Sequence, residues 1–107
     1  MSYNIHITRA DDWVESEENP IKLEELIDYF SGKSDFEYSE TFSTPGPISM
    51  SIEADFFIWK HKDIKVPFLY KKGQIVVSRA NDEVIEKMKE IATELDARVQ
   101  GDDGELY

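Results

Sequence analysis

The sequence predicts an α+β fold: a mostly antiparallel sheet with two helices packed on one face. Three observations predict it. A strictly alternating stretch, YNIHIT, lies near the start. Two segments carry apolar residues at helical spacing behind capping signals. Between them run several short alternating segments separated by turn residues. The predicted order is β-α-β-β-β-β-α-β.

In residues 3–8, Tyr3, Ile5 and Ile7 face one way and Asn4, His6 and Thr8 the other, the pattern of a half-buried strand. An acidic loop follows, RADDWVESEENP, holding one tryptophan. Pro20 suits a first helical turn, with Asn19 as its cap. Leu23, Leu26, Ile27 and Phe30 then recur at helical spacing, and Gly32 closes the helix. FEYSETF (36–42) alternates again, and TPGP (44–47) forces a break. A long strand is expected over residues 48–59. Met50, Ile52, Ala54, Phe56 and Ile58 form one face, and Phe57 and Trp59 add apolar groups to the other, so both sides are covered near its end. VPFLY-KKGQ-IVVS reads as a hairpin turning at Gly73, with Pro67 suited to an edge or a strand start. Asn81 caps the second helix, and Asp82 and Glu83 complement its dipole. Val84, Ile85, Met88, Ile91, Ala92 and Leu95 form its buried stripe, and Glu83 pairs with Lys87. Residues 98–100 make a short last strand.

Length and composition narrow the function. The 107 residues suit one domain, and 40% hydrophobic with 12% aromatic content is that of a globular chain. With no cysteine, disulfides, thiol catalysis and Cys-ligated zinc are excluded. MSYNIHITRADD has no basic region followed by an apolar run, so no secretory signal is expected. No stretch approaches the ~20 apolar residues of a membrane span. A cytoplasmic location is the expectation. The net charge of −11 repels nucleic acid and anionic lipid, since binders of either cluster Lys and Arg. The same charge favours solubility and fast encounter with a basic protein.

The motifs are few. VQGDDGELY sets two aspartates between two glycines. A calcium loop needs acids at alternating positions over about a dozen residues. Here they are adjacent, and Asp-Gly is a turn dipeptide, so GDDGE reads as a turn with exposed carboxylates. Glu53 and Asp55 share a strand face with Phe57 and Trp59. This is either a solvent face or an alternative pocket for a small ligand or an acid–base pair. His6 and His61 lack the spacing of a zinc site and read as surface or rim residues. No nucleophile elbow, P-loop or dinucleotide fingerprint is present. No catalytic residue, metal ligand or cofactor is predicted. The strongest anomaly is DDWVESEEN, where acids surround Trp13. That tryptophan either folds back onto the core or anchors a partner, with the acids steering a basic one.

YNIHITRADDW-ESEENPI at the start and ARVQGDDGELY at the end resemble a group of small bacterial proteins without an assigned activity. The likeness covers about the first and last quarters and implies a bacterial, single-domain protein, with no catalytic residues to carry over. By size and charge alone the chain is also similar to immunity proteins, which bind and block a basic toxin domain. The expected function is an acidic protein-binding module, monomeric or homodimeric. Its partner surface is expected at Asp11, Asp12, Trp13, Glu15, Glu17, Glu18, Asp102, Asp103 and Glu105. The two acidic loops meet at one end if the first and last strands are parallel neighbours.

Overall fold

The structure, a computed structural model, describes residues 3–44 and 50–107. Of the break predicted at residues 44–47, Thr44 ends β2, while residues 45–47 and the predicted strand start at Ile48 lie outside the described residues. The order is β1 (Asn4–Thr8), a 3-10 helix (Trp13–Glu18), α1 (Leu23–Ser31), β2 (Phe36–Thr44), β3 (Met50–His61), β4 (Ile64–Lys71), β5 (Gln74–Ser78), α2 (Asp82–Glu94) and β6 (Arg98–Gly101). The registered strand pairs are antiparallel. The fold is therefore α+β in the predicted order, with the 3-10 helix as an addition. Among the described residues, no helix is long and apolar enough to cross a membrane.

The chain gathers into two compact units, Met1–Lys22 with Lys71–Tyr107, and Leu23–Tyr70. In the first, β1 lies between β5 and β6. Its register sets Ile5 against Val77 and Gly101, and Ile7 against Ile75 and Val99. These apolar residues share one face and are buried. Helix α2 packs on β1 and β6 and buries Val84, Met88, Ile91 and Ala92. Each such Ile, Val or Met contributes roughly 1.5–3 kcal/mol through burial. Asn81 caps α2 as predicted, its side chain accepting from the Val84 N–H at 2.9 Å. At the other end the Arg9 guanidinium donates to the Leu95 carbonyl at 2.8 and 3.0 Å, a cation where the helix dipole favours one.

Two expectations change here. β1 is buried on both faces rather than one, because His6 and Thr8 are covered as well. The first helix begins at Leu23, after Pro20. The Ile21 N–H instead donates to the Gly73 carbonyl at 2.9 Å, tying this stretch to the turn at Gly73. Asn19 therefore does not start α1. It ends the 3-10 helix, its N–H donating to the Ser16 carbonyl at 3.2 Å.

In the second unit β3 pairs with both β2 and β4, and Pro67 sits inside β4 opposite Ile58. The β2–β3 register shifts between Ser39 and Thr41. Phe56, Phe57, Ile58 and Trp59 are all buried, so both faces are covered there as the pattern predicts. Farther along the strand Ile52 is 48% exposed. Helix α1 places Phe30 on this core, 4.6 Å from the Phe57 ring and 4.5 Å from Phe36. Phe68 meets Phe36 edge-on at 5.3 Å.

Candidate functional site

The chain leaving β1 turns back over the face that α2 does not occupy, and its acidic segment is fastened there by buried polar groups. Asp12 caps the 3-10 helix, accepting from the Val14 N–H at 3.2 Å. Gln100 of β6 accepts from the Trp13 N–H at 2.8 Å and donates to the Asp11 carbonyl at 2.8 Å. The Trp13 carbonyl accepts from Gln74 of β5 at 3.2 Å and from the Ser16 hydroxyl at 2.6 Å. Because Ser16 spends its proton there, Thr8 must donate to Ser16 across their 2.7 Å contact, and Thr8 in turn accepts from the Ala10 N–H at 3.1 Å. Ser16, Thr8, Gln74 and Gln100 are buried. Among the described residues, every buried side-chain polar atom has a partner. Breaking one such contact leaves a desolvated group unpaired, at a cost of ~1–3 kcal/mol.

Trp13 folds back rather than projecting freely: it is half-buried. Its indole stacks on His6 with centroids 4.0 Å apart and planes 6° from parallel. Its indole N–H donates to the Asp102 carbonyl at 3.2 Å. His6 is 3% exposed, which corrects its expected place at the surface. Its ring nitrogens meet Gln74 Oε1 at 2.7 Å and Asp102 Oδ1 at 2.8 Å.

GDDGE is a turn, as predicted. The Gly104 N–H returns to the Gly101 carbonyl at 2.9 Å, and Gly104 alone takes positive φ, at 85°. With the Gly101 N–H bonded to the Glu105 carbonyl at 3.0 Å, this is a three-residue hairpin loop with glycine at its left-handed position. The turn aims Asp102 inward, which corrects the expectation that both carboxylates are exposed. Asp102 also accepts from the Asn4 N–H at 2.8 Å. Burial alone would push its carboxyl up, but the Asn4 amide and His6 outweigh that and hold it below the ordinary carboxylate range. Glu105 accepts from the Tyr3 hydroxyl. That bond lowers the Glu105 carboxyl and raises the Tyr3 phenol to about 12.

The two acidic loops do lie together, although β1 and β6 are antiparallel neighbours rather than parallel ones. They meet because the segment after β1 doubles back along the sheet. Asp11, Glu15, Glu17, Glu18 and Asp103 remain exposed. Asp11 forms an exposed ion pair with Arg98 at 3.4 Å. Asp11, Glu15 and Glu18 line an open cleft of ≈ 320 Å³ together with Arg9, Ala10 and Asn19.

The residues of the alternative pocket are placed otherwise. Phe57 and Trp59 belong to the second unit's core, and Glu53 is exposed. Asp55 accepts from the Tyr38 hydroxyl at 2.6 Å, which raises that phenol to about 12. The carboxylate on the Trp59 indole N–H is Asp35, at 3.0 Å, a residue the sequence did not single out. His6, Gln74 and Gln100 were also missed. The available signal was a polar residue at alternate positions of strands whose other face is apolar. Their register, which brings the three together, is invisible in the sequence.

A depressed carboxyl contributes stability above the ordinary carboxylate range of about 4, and loses it as pH falls through the lower folded value. Asp102→Asn is therefore expected to cost about 1–2 kcal/mol at neutral pH and to flatten the acid limb of the stability curve. Urea unfolding from neutral pH downward measures both. Parallel curves for the two proteins would show that Asp102 does not carry the linkage.

No protein-family model, curated protein or solved structure matches this chain.

Proposed function

We propose that this chain is an acidic protein-binding module that acts as an immunity protein does, occluding a basic toxin or effector domain. One observation supports the reading above the others. The backbone of the acidic segment is fastened to buried strand residues at Asp11 and Trp13, so the exposed carboxylates of Glu15, Glu17 and Glu18 are presented from a fixed frame. A pre-ordered surface loses less entropy on binding. Concentrated negative charge accelerates encounter with a basic surface in a salt-dependent way. Val14, 66% exposed on the same short helix, offers an apolar contact among the acids.

The test uses tagged wild type and a variant with Glu15, Glu17 and Glu18 all changed to lysine, in parallel pull-downs from a lysate of the source organism. Surface positions of this kind change stability by only about 0.5 kcal/mol each, so the variant should fold. The expected result is a basic protein held by wild type, released by salt, and associating roughly 10- to 1000-fold more slowly with the variant at low salt. Its own activity should fall when wild type is bound. Equal retention by both proteins would end the reading.

A further inference from the structure

His6 is a buried titratable side chain, and its hydrogen bonds define its protonation. Gln74 cannot be turned around. Its amide nitrogen donates to the Trp13 carbonyl, and the reverse orientation would set two oxygens against each other. Its Oε1 therefore faces His6 Nδ1 at 2.7 Å. The Asp102 carboxylate faces Nε2 at 2.8 Å. Both neighbours are acceptors. A neutral imidazole has one N–H and one lone pair, so either tautomer would press a lone pair against an oxygen. A doubly protonated ring satisfies both. The Trp13 indole stacks in parallel at 4.0 Å, a position from which its ring quadrupole also attracts a cation.

We propose that His6 is held as an imidazolium and forms a proton-dependent clamp that fastens the Trp13 segment and the Asp102 turn to β1. Several elements face the ring. From β5 it meets Gln74, with Val76 opposite it in register; from β6, Gln100 lies opposite. From the 3-10 helix comes Trp13. Asp102 is the charged side chain in contact with the ring, while Lys72 and Glu17 line a cleft on Trp13 and Gln74. Removing the ring proton leaves either Gln74 or Asp102 facing a lone pair. Because the Gln74 amide also holds the Trp13 carbonyl, and the Asp102 backbone carbonyl holds the indole N–H, strain at either one reaches the Trp13 segment. The clamp is closed where His6 is protonated and Asp102 ionised, and opens as base removes the ring proton. Regulation of partner binding by this clamp rests on the proposed function. The clamp itself does not.

Nitrogen-15 NMR of uniformly labelled protein, without any partner, tests it through a pH titration. In the closed state both His6 ring nitrogens should show protonated-type resonances. The Trp13 indole N–H signal should shift with the same midpoint as His6. A Trp59→Phe background should show a Trp13 fluorescence change in the same step. His6→Gln should abolish that step. If that variant does not fold, the wild-type coincidence of the two midpoints decides alone. A lone-pair nitrogen on His6 while the Trp13 indole bond is in place would overturn the clamp. So would a Trp13 signal unmoved through the His6 titration. Neither readout involves a partner, so a failed pull-down and a failed clamp are separate results.

Discussion

Phe57→Ala is expected to destabilise the Leu23–Tyr70 unit by about 3–5 kcal/mol, the cost of truncating a phenylalanine in a packed core. Phe57 is fully buried, stacks on Phe30 at 4.6 Å and lies 5.3 Å from the Tyr38 ring. The void left by its ring would be walled by other aromatics, and rigid rings collapse poorly into a gap. Glu53→Ala, four residues earlier on β3 and beyond its register shift against β2, should change stability by no more than about 0.5 kcal/mol, because Glu53 is exposed. Urea unfolding followed by Trp59 fluorescence reads both, since Trp59 lies in this unit and is 6% exposed. The contrast bears on the alternative pocket. If Phe57 lined a ligand site and not a core, its truncation would cost well under about 1 kcal/mol.

Gly73→Ala should cost about 2–4 kcal/mol, from left-handed backbone strain together with steric overlap. The two-residue loop Lys72–Gly73 has φ of 51° and 81°. Both central residues positive is the twist that suits a tight antiparallel reversal. Lysine tolerates this at some cost, but at Gly73 there is also no room. A Cβ would lie 2.7 Å from Pro20 Cβ, and 3.0 Å from Pro20 Cα and from the Ser16 carbonyl oxygen. Two of these three atoms are backbone and cannot swing aside. The Gly73 carbonyl also receives the Ile21 N–H. Gly104→Ala is the control. Its φ is 85°, yet nothing lies within 4 Å of the added carbon, so it should cost only about 1 kcal/mol. Equal losses at the two positions would mean that torsion alone matters and that the 3-10 segment does not press on the turn. A larger loss at Gly73, with a change in Trp13 fluorescence in the Trp59→Phe background, would show that the turn also positions the acidic segment.

Much of the fold was legible because it follows from local rules. The alternation in YNIHIT, the stripe from Val84 to Ala92 behind Asn81, and the turn residues at Gly73 and GDDGE each carry their signal within a few residues. The apolar face of β1 was legible for the same reason. Its polar face was misread, since His6 and Thr8 look like solvent-facing residues until something covers them. Likewise Asn19 before Pro20 has the form of a helix start, yet Asn19 ends the 3-10 helix and α1 begins at Leu23.

By itself, then, the sequence determined the class, the order of elements, the acidic charge of −11 and the segments that carry it. Only the tertiary structure decided that Trp13 turns inward, that Asp102 turns with it, and that a buried histidine holds the two. The physical reason is that burial of a polar side chain depends on partners distant in the chain. His6 needs Gln74 and Asp102, 68 and 96 residues away, and Trp13 needs Gln100, 87 away. Strand register creates those neighbours, and it joins strands far apart in the chain.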